Sequence, residues 1–202
     1  MFEKLKNALA GNSDNNKPVF TQHKYRPSCS VKLVGGNVLL LMGFNDGTSN
    51  GYCTRLDLPV THFQIAEHIF DALSHSEDPL REGGAGDPPY YVVAAGMNDL
   101  KKFHKSSSEV GVQWVKKPHT TESMGKPLVQ DRNYWAPGVY LSPMKRLRRT
   151  GSAEGLGDAY NRGPIPPEDH GRIGREVMEL FDIIRTEFDG EPLPLRLSED
   201  LA

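Results

Sequence analysis

Val31-Lys-Leu-Val-Gly-Gly-Asn-Val-Leu-Leu-Leu-Met-Gly-Phe44 is the stretch whose reading decides the fold. Val38–Met42 is a continuous apolar run, too short for a typical helix and bounded by Gly-Gly-Asn and Asn-Asp-Gly. That context favours a strand buried on both faces. Ser30–Leu33 reads as the strand before it and Tyr52–Leu58 as a return strand. Asn45–Gly51 between them supplies turn chemistry, because Asn, Asp and Gly tolerate positive φ or bond their own backbone. Pro59 stops the return strand. Thr61 is a good N-cap for a helix running to about Ser74, with Ile65, Ala66, Ile69, Phe70 and Leu73 on one face. Gln64, Glu67, His68 and Asp71 fall on the other.

This order recurs. Val31–Leu73 matches Val139–Phe181 without a gap at an offset of 108 residues, with nine identities. They are Val31/Val139, Leu33/Leu141, Leu39/Leu147, Gly43/Gly151, Gly47/Gly155, Tyr52/Tyr160, Pro59/Pro167, His62/His170 and Ile65/Ile173. Strand, Gly-rich turn, Tyr, Pro and amphipathic helix therefore occur twice, and a repeat constrains architecture before any local motif does. In the second copy, Lys145-Arg-Leu-Arg-Arg149 stands where the first has its apolar core strand. Such a segment cannot be buried, so the second half has lost that strand or turned it to solvent. Gly151–Gly163 reads as a long loop. Pro166 and Pro167 lead into a helix carrying Ile173, Val177, Leu180, Phe181 and Ile184 on one face.

The rest of the chain is less patterned. Phe2, Leu5 and Leu9 suggest a short helix over residues 1–10, docked on the protein's own surface, with Gly11–Pro18 as linker. Asp78–Pro89 is loop. Tyr90–Gly96 reads as a strand, Asn98–His104 as a short helix, Val110–Val115 as a strand, and Pro118–Arg132 as a polar connector. The tail after Asp189 is rich in Pro and acid. The expectation is an α+β (mixed α/β) domain over 19–202 with two related strand–strand–helix halves, about 26–105 and 134–190, around a mixed sheet.

Composition narrows the function classes. With 202 residues, a chain can bury about 70% of its unfolded surface and needs no disulfide or metal staple. The net charge of −2 argues against general binding to nucleic acid or anionic membranes, which favour basic surfaces. Cys29 and Cys53 form no Cys-x-x-Cys pair and are expected as free thiols. The N-terminus lacks an export-signal core, and no apolar run spans a membrane, so a cytoplasmic protein is expected.

Candidate chemistry is sparse. His68, Asp71 and His75 share one helical face and could present three groups to a metal, but no fourth ligand follows, so a solvated face is the reading. His62 and His170 precede their helices in both copies, which suits capping or packing. Gly151-Ser-Ala-Glu-Gly-Leu-Gly157 and Gly83-Gly-Ala-Gly86 lack phosphate-loop order and read as flexible loops. Arg148 and Arg149 lie in the one basic cluster, suited to phosphate or to an acidic partner. Asp46, Asp57, Glu67 and Asp71, with Glu77 and Asp78, line the first unit's turn and polar helix face, where an acidic surface could match a basic protein. No serine, cysteine or metal-hydrolase motif occurs, and no cofactor is expected.

Two segments resemble the immunity proteins of bacterial contact-dependent growth inhibition systems. Ile65-Ala-Glu-His-Ile-Phe-Asp-Ala-Leu-Ser-His-Ser76 is similar to the family's first helix, with Ala66 in place of its glycine, and Ile173-Gly-Arg-Glu-Val177 is similar to its second. The resemblance implies a small, non-enzymatic cytosolic protein that pairs one-to-one with a toxin domain, often a nuclease, and blocks its active site. The contacts expected are Asp46, Asp57, Glu67, Asp71, Arg148 and Arg149. The alternatives are a hydrolase working from His62 or His170 with a carboxylate, and a structural subunit of a phage or secretion apparatus.

Overall fold

The computed structural model describes residues 27–45, 48–78, 88–116, 119–120, 134–146 and 153–189. The segments expected as an N-terminal helix, as its linker and as an acidic tail lie outside these residues, as do Asp46, Arg148 and Arg149. The chain begins as a meander of β1 (Ser28–Val34), β2 (Val38–Asn45) and β3 (Thr48–Asp57). Gly35 and Gly36 close the first turn with φ of 60° and 77°, a left-handed conformation that glycine adopts without a Cβ penalty. Helix α1 (His62–Ser74) starts on a full capping box. Thr61 Oγ1 accepts from the Gln64 amide at 3.1 Å, and Gln64 Oε1 accepts from the Thr61 amide at 2.9 Å.

The segment Tyr90–Gly96, expected as a strand, is instead the short helix α2 (Tyr90–Ala94), followed by α3 (Leu100–Ser106). Its β-branched and aromatic residues suit a strand only where a sheet edge receives them. Here Val92 and Phe103 close over Val34, Val38 and Leu40, an apolar patch that a single helical turn covers. Gly96, at φ 74°, ends α2, with Gly96 N bonded to Val93 O at 2.8 Å and Met97 N to Val92 O at 3.0 Å, a Schellman closure.

Strand β4 (Ser107–Val115) then enters the middle of the sheet. The short pair β5 (His119–Thr120) and β6 (Tyr134–Trp135) precedes β7 (Gly138–Arg146). Strands β8 (Ala153–Gly155) and β9 (Arg162–Ile165) lead to α4 (His170–Ile183), which continues as a π-helical turn, Ile184–Asp189. The sheet order is β3-β2-β1-β4-β7-β8, with β9 also on β7. The α+β class stands, but every described ladder is antiparallel, so the expected mixed sheet is corrected. The Gly151–Gly163 segment is not all loop, because β7 offers it a partner: Met144 pairs with Gly155 and Leu141 with Arg162. Strand β7 itself runs on through Lys145 and Arg146, which pair with Glu154 and Ala153 of β8.

Both amphipathic helices pack on one face. Ile65, Ile69, Ile173, Val177 and Phe181 are fully buried there, among Val31, Leu39, Leu41, Val110 and Leu141. The helices meet closely at Gly174, where an added Cβ would lie 2.0 Å from the His62 carbonyl oxygen. On the opposite face Ser30, Lys32 and Glu109 are buried between neighbouring strands. Ser30 Oγ donates to Glu109 Oε1 at 2.7 Å and Lys32 Nζ to Glu109 Oε2. Cys29 and Cys53 are free thiols on opposite faces of the sheet. Burial raises both, Cys53 to about 11.

Two glycines of α4 give opposite expectations. Gly174→Ala forces the helices apart and should cost about 3 kcal/mol, the upper part of the overpacking range. At Gly171 a Cβ would meet only the Phe63 ring edge, at 3.4 Å. Gly171→Ala should therefore be neutral or gain up to about 1 kcal/mol of helix propensity. Urea denaturation of the two variants checks this, and equal midpoints would contradict the close contact.

Candidate functional site

The polar end of α1 and the start of β3 build a cluster of acid, tyrosine and histidine. Tyr52 and Thr54 lie on the face of β3 that α1 covers. Asp71 occupies the last turn of α1, and the chain leaves that helix through a single 3-10 turn, His75–Glu77. That turn is held from beneath by buried Asn50, whose Nδ2 donates to the His75 carbonyl and whose Oδ1 accepts from the Tyr52 amide at 3.0 Å. The His75 and Tyr52 rings consequently stack, with centroids 4.2 Å apart and planes inclined by 17°.

Carboxylates bracket the stacked pair. His75 Nδ1 lies 2.7 Å from Asp78 Oδ2, and its Nε2 lies 3.9 Å from Asp71 Oδ1. The Tyr52 hydroxyl donates to Asp71 Oδ2 and lies 2.7 Å from Thr54 Oγ1. Partial burial, then the Asp71 carboxylate, holds the Tyr52 phenol above its ordinary value of 10. The Asp71 and Asp78 side chains keep about half their surface in solvent, 53% and 45%. Each carboxylate is thus oriented by an internal partner while keeping part of its surface in solvent. Glu67 is exposed on α1 one turn before Asp71.

The residues expected from sequence are only partly brought together. Glu67 and Asp71 share the outer side of α1. Asp57 lies on the opposite face of β3, gripped by Arg55 through contacts of 2.6 and 3.0 Å, while Arg55 Nη1 also donates to the Ala94 carbonyl at 3.1 Å. The sequence grouped Asp78 with the acidic surface and His75 with Asp71 on one helical face, but did not join Tyr52 to them. The signal available was Tyr52/Tyr160, matched in the repeat. Tyr160 likewise donates to a carboxylate, Glu187, at 3.0 Å, but from two turns beyond the position equivalent to Asp71.

The histidines considered for hydrolysis have packing environments. His170 stacks on Phe70 at 5.1 Å, and Phe70 meets Trp114 edge-on at 5.4 Å. His62 opens α1, with its carbonyl against Gly174. Among the described residues, no group of three His, Cys, Asp or Glu side chains is placed to hold a metal ion. No described helix is long and apolar enough to cross a membrane.

No protein-family model matches the chain, and no curated protein matches it. Solved structures do match. A protein of unknown function from Neisseria meningitidis is 11% identical, with a TM-score of 0.49, over 76% of this chain and 94% of that one. A CdiA-CT/CdiI toxin and immunity complex from Yersinia pseudotuberculosis contains a chain 13% identical, also with a TM-score of 0.49, over 77% of this chain and 97% of that one. No site residue is carried over from either.

The Tyr52–Asp71 bond has a spectroscopic consequence. The difference in ultraviolet tyrosinate titration between the native chain and Tyr52→Phe should show a phenol ionising above 10, and Asp71→Asn should lower it. A phenol raised by folding contributes stability that is complete below its unfolded value and is lost as pH climbs through the folded one. Asp71→Asn should therefore flatten the alkaline decline in stability, and an unchanged Tyr52 titration would contradict the bond.

Proposed function

We propose that this chain is a non-enzymatic immunity or inhibitor protein that binds a toxin domain one-to-one and neutralises it. The carrying observation is the pre-organised acidic surface at the outer end of α1, where Asp71 and Asp78 flank the Tyr52–His75 stack and Glu67 is exposed one turn earlier. A nuclease must hold its substrate phosphates with Lys and Arg, so a rigid set of carboxylates complements the groove to be blocked. Orientation by internal hydrogen bonds lowers the ordering cost of association, because Asp71 and Asp78 need not be immobilised afresh. Tyr52 adds a stiff aromatic surface of the kind enriched at interface centres.

Two further contacts fit this reading. Arg148 and Arg149 would meet acidic groups of the toxin. The outer side of β3, the last described strand at its end of the sheet, could extend pairing into a strand of the partner. The resemblance of Ile65–Ser76 and Ile173–Val177 to immunity proteins of contact-dependent growth inhibition supports the same reading from sequence. The protein would then act in the cytoplasm beside the arriving toxin.

The test uses the C-terminal domain encoded by the reading frame immediately upstream, titrated calorimetrically with the full chain. Glu67→Lys with Asp71→Lys should weaken binding at least tenfold, or about 1.4 kcal/mol, at low salt. Added salt should shrink that difference, since exposed charges are screened. Unchanged affinity with an unchanged melting temperature would remove these carboxylates from the interface.

A further inference from the structure

Strands β2 and β3 lose their regular register at one place. Met42 pairs with Cys53 and Phe44 with Ser49, so Gly43 alone stands opposite Asn50, Gly51 and Tyr52. A bulge of this kind bends a strand and re-aims a side chain. Gly51 makes the bend with φ of 88°, a left-handed value that glycine adopts freely. Asn50 Oδ1 accepts from the Tyr52 amide at 3.0 Å, closing an Asx turn across that glycine.

The bulge sends the Asn50 side chain inward, and the residue keeps 1% of its surface in solvent. Gly43 makes the space for it. An added Cβ there would lie 3.0 Å from Asn50 Oδ1 and 3.2 Å from the Ala72 carbonyl oxygen of α1. Asn50 Nδ2 donates to the His75 carbonyl, in the 3-10 turn by which the chain leaves α1. One carboxamide therefore joins the backbone of Tyr52 to that of His75, the two residues whose rings stack at 4.2 Å. Both bonds go to backbone, so Asn50 fixes where the two side chains start without using any group on their rings.

We propose that Asn50, seated in the Gly43–Gly51 bulge, is the positioning residue of the recognition surface: it sets the Tyr52–His75 stack in the free chain and thereby sets the affinity for the partner. The inference rests on the toxin-binding reading above. Side chains already held in their bound arrangement lose less freedom on association. Without Asn50, the partner would have to order the turn carrying His75 as it binds, at a cost in affinity.

Asn50→Ala removes both bonds, and Gly43→Ala crowds the carboxamide without altering it, so either variant answers if the other fails to fold. Val139→Ala, a cavity in the same core on β7, controls for lost stability alone. In the isotopically labelled full chain the Tyr52 ring shifts the His75 ring protons, and Tyr52→Leu gives their positions without it. Asn50→Ala and Gly43→Ala should move those resonances through at least half of that distance, and Val139→Ala should leave them in place. The upstream toxin domain should bind both bulge variants at least tenfold more weakly than the native chain or the control. Added salt should leave this difference standing, since no charge has changed. His75 resonances that keep their native positions in both variants, or that move equally in the control, would overturn the proposal. Moved resonances with native toxin affinity would overturn the recognition role and leave Asn50 a structural residue of the turn. A toxin domain that fails to bind the native chain would instead sink the functional reading itself, with the His75 resonances still deciding the positioning.

Discussion

Helices α1 and α4 touch where Gly174 lies against the His62 carbonyl, a spacing that no larger residue permits. Their apolar stripes can be buried together only on one side of a sheet wide enough for both, and β2, β1, β4 and β7 supply it. Two helices at this separation share a core containing Ile65, Ile69, Ile173 and Phe181, all fully buried. Burying each such side chain contributes about 1.5–3 kcal/mol before chain entropy is subtracted. The other sheet face is thereby released from carrying most of the stability.

That second face is used unevenly. Helices α2 and α3 cover its β3-β2-β1 end with Val92 and Phe103, and the remainder mixes polar residues with Phe44 and Met144. Serines, glutamine and a buried carboxylate occupy the positions on β1, β4 and β7 where a sheet sealed by helices would have carried aliphatic residues. On the helix-bearing side, the acid–tyrosine–histidine cluster gathers at the solvent margin, where the end of α1 meets β3. There Asn50 fixes the turn, His75 stacks on Tyr52, and Asp71 and Asp78 are oriented by internal contacts.

Much of this was legible in the sequence wherever periodicity or capping chemistry is strong. Thr61 with Gln64, the Val38–Met42 run and the apolar stripe of α4 all form the elements they suggest. The repeat was legible as local order, since both halves run from strand to helix and deliver Ile65 and Ile173 to one core. Its use in space was not. Strands β1 and β7 flank β4, and their partners extend the sheet in opposite directions, an outcome set by which strand fills the centre. Tyr90–Gly96 misled because its apolar residues are satisfied by one helical turn over a patch assembled from distant strands. At the candidate site, Glu67 and Asp71 share the outer side of α1 because helical spacing places them there. Asp57 was grouped with them although strand alternation sends it to the other face. Asn50 was legible only as turn chemistry, because only the register between β2 and β3 sets it opposite Gly43.

The central claim is a division of labour: one sheet face is sealed by paired helices, and the proposed recognition lies at the α1 margin. Hydroxyl-radical footprinting of the full chain, free and bound to the upstream toxin domain, tests it most directly. The account predicts that Tyr52 loses reactivity in the complex while Phe63, exposed beside the α1–α4 contact, keeps its own. Protection of Phe63 with unchanged Tyr52 would contradict it.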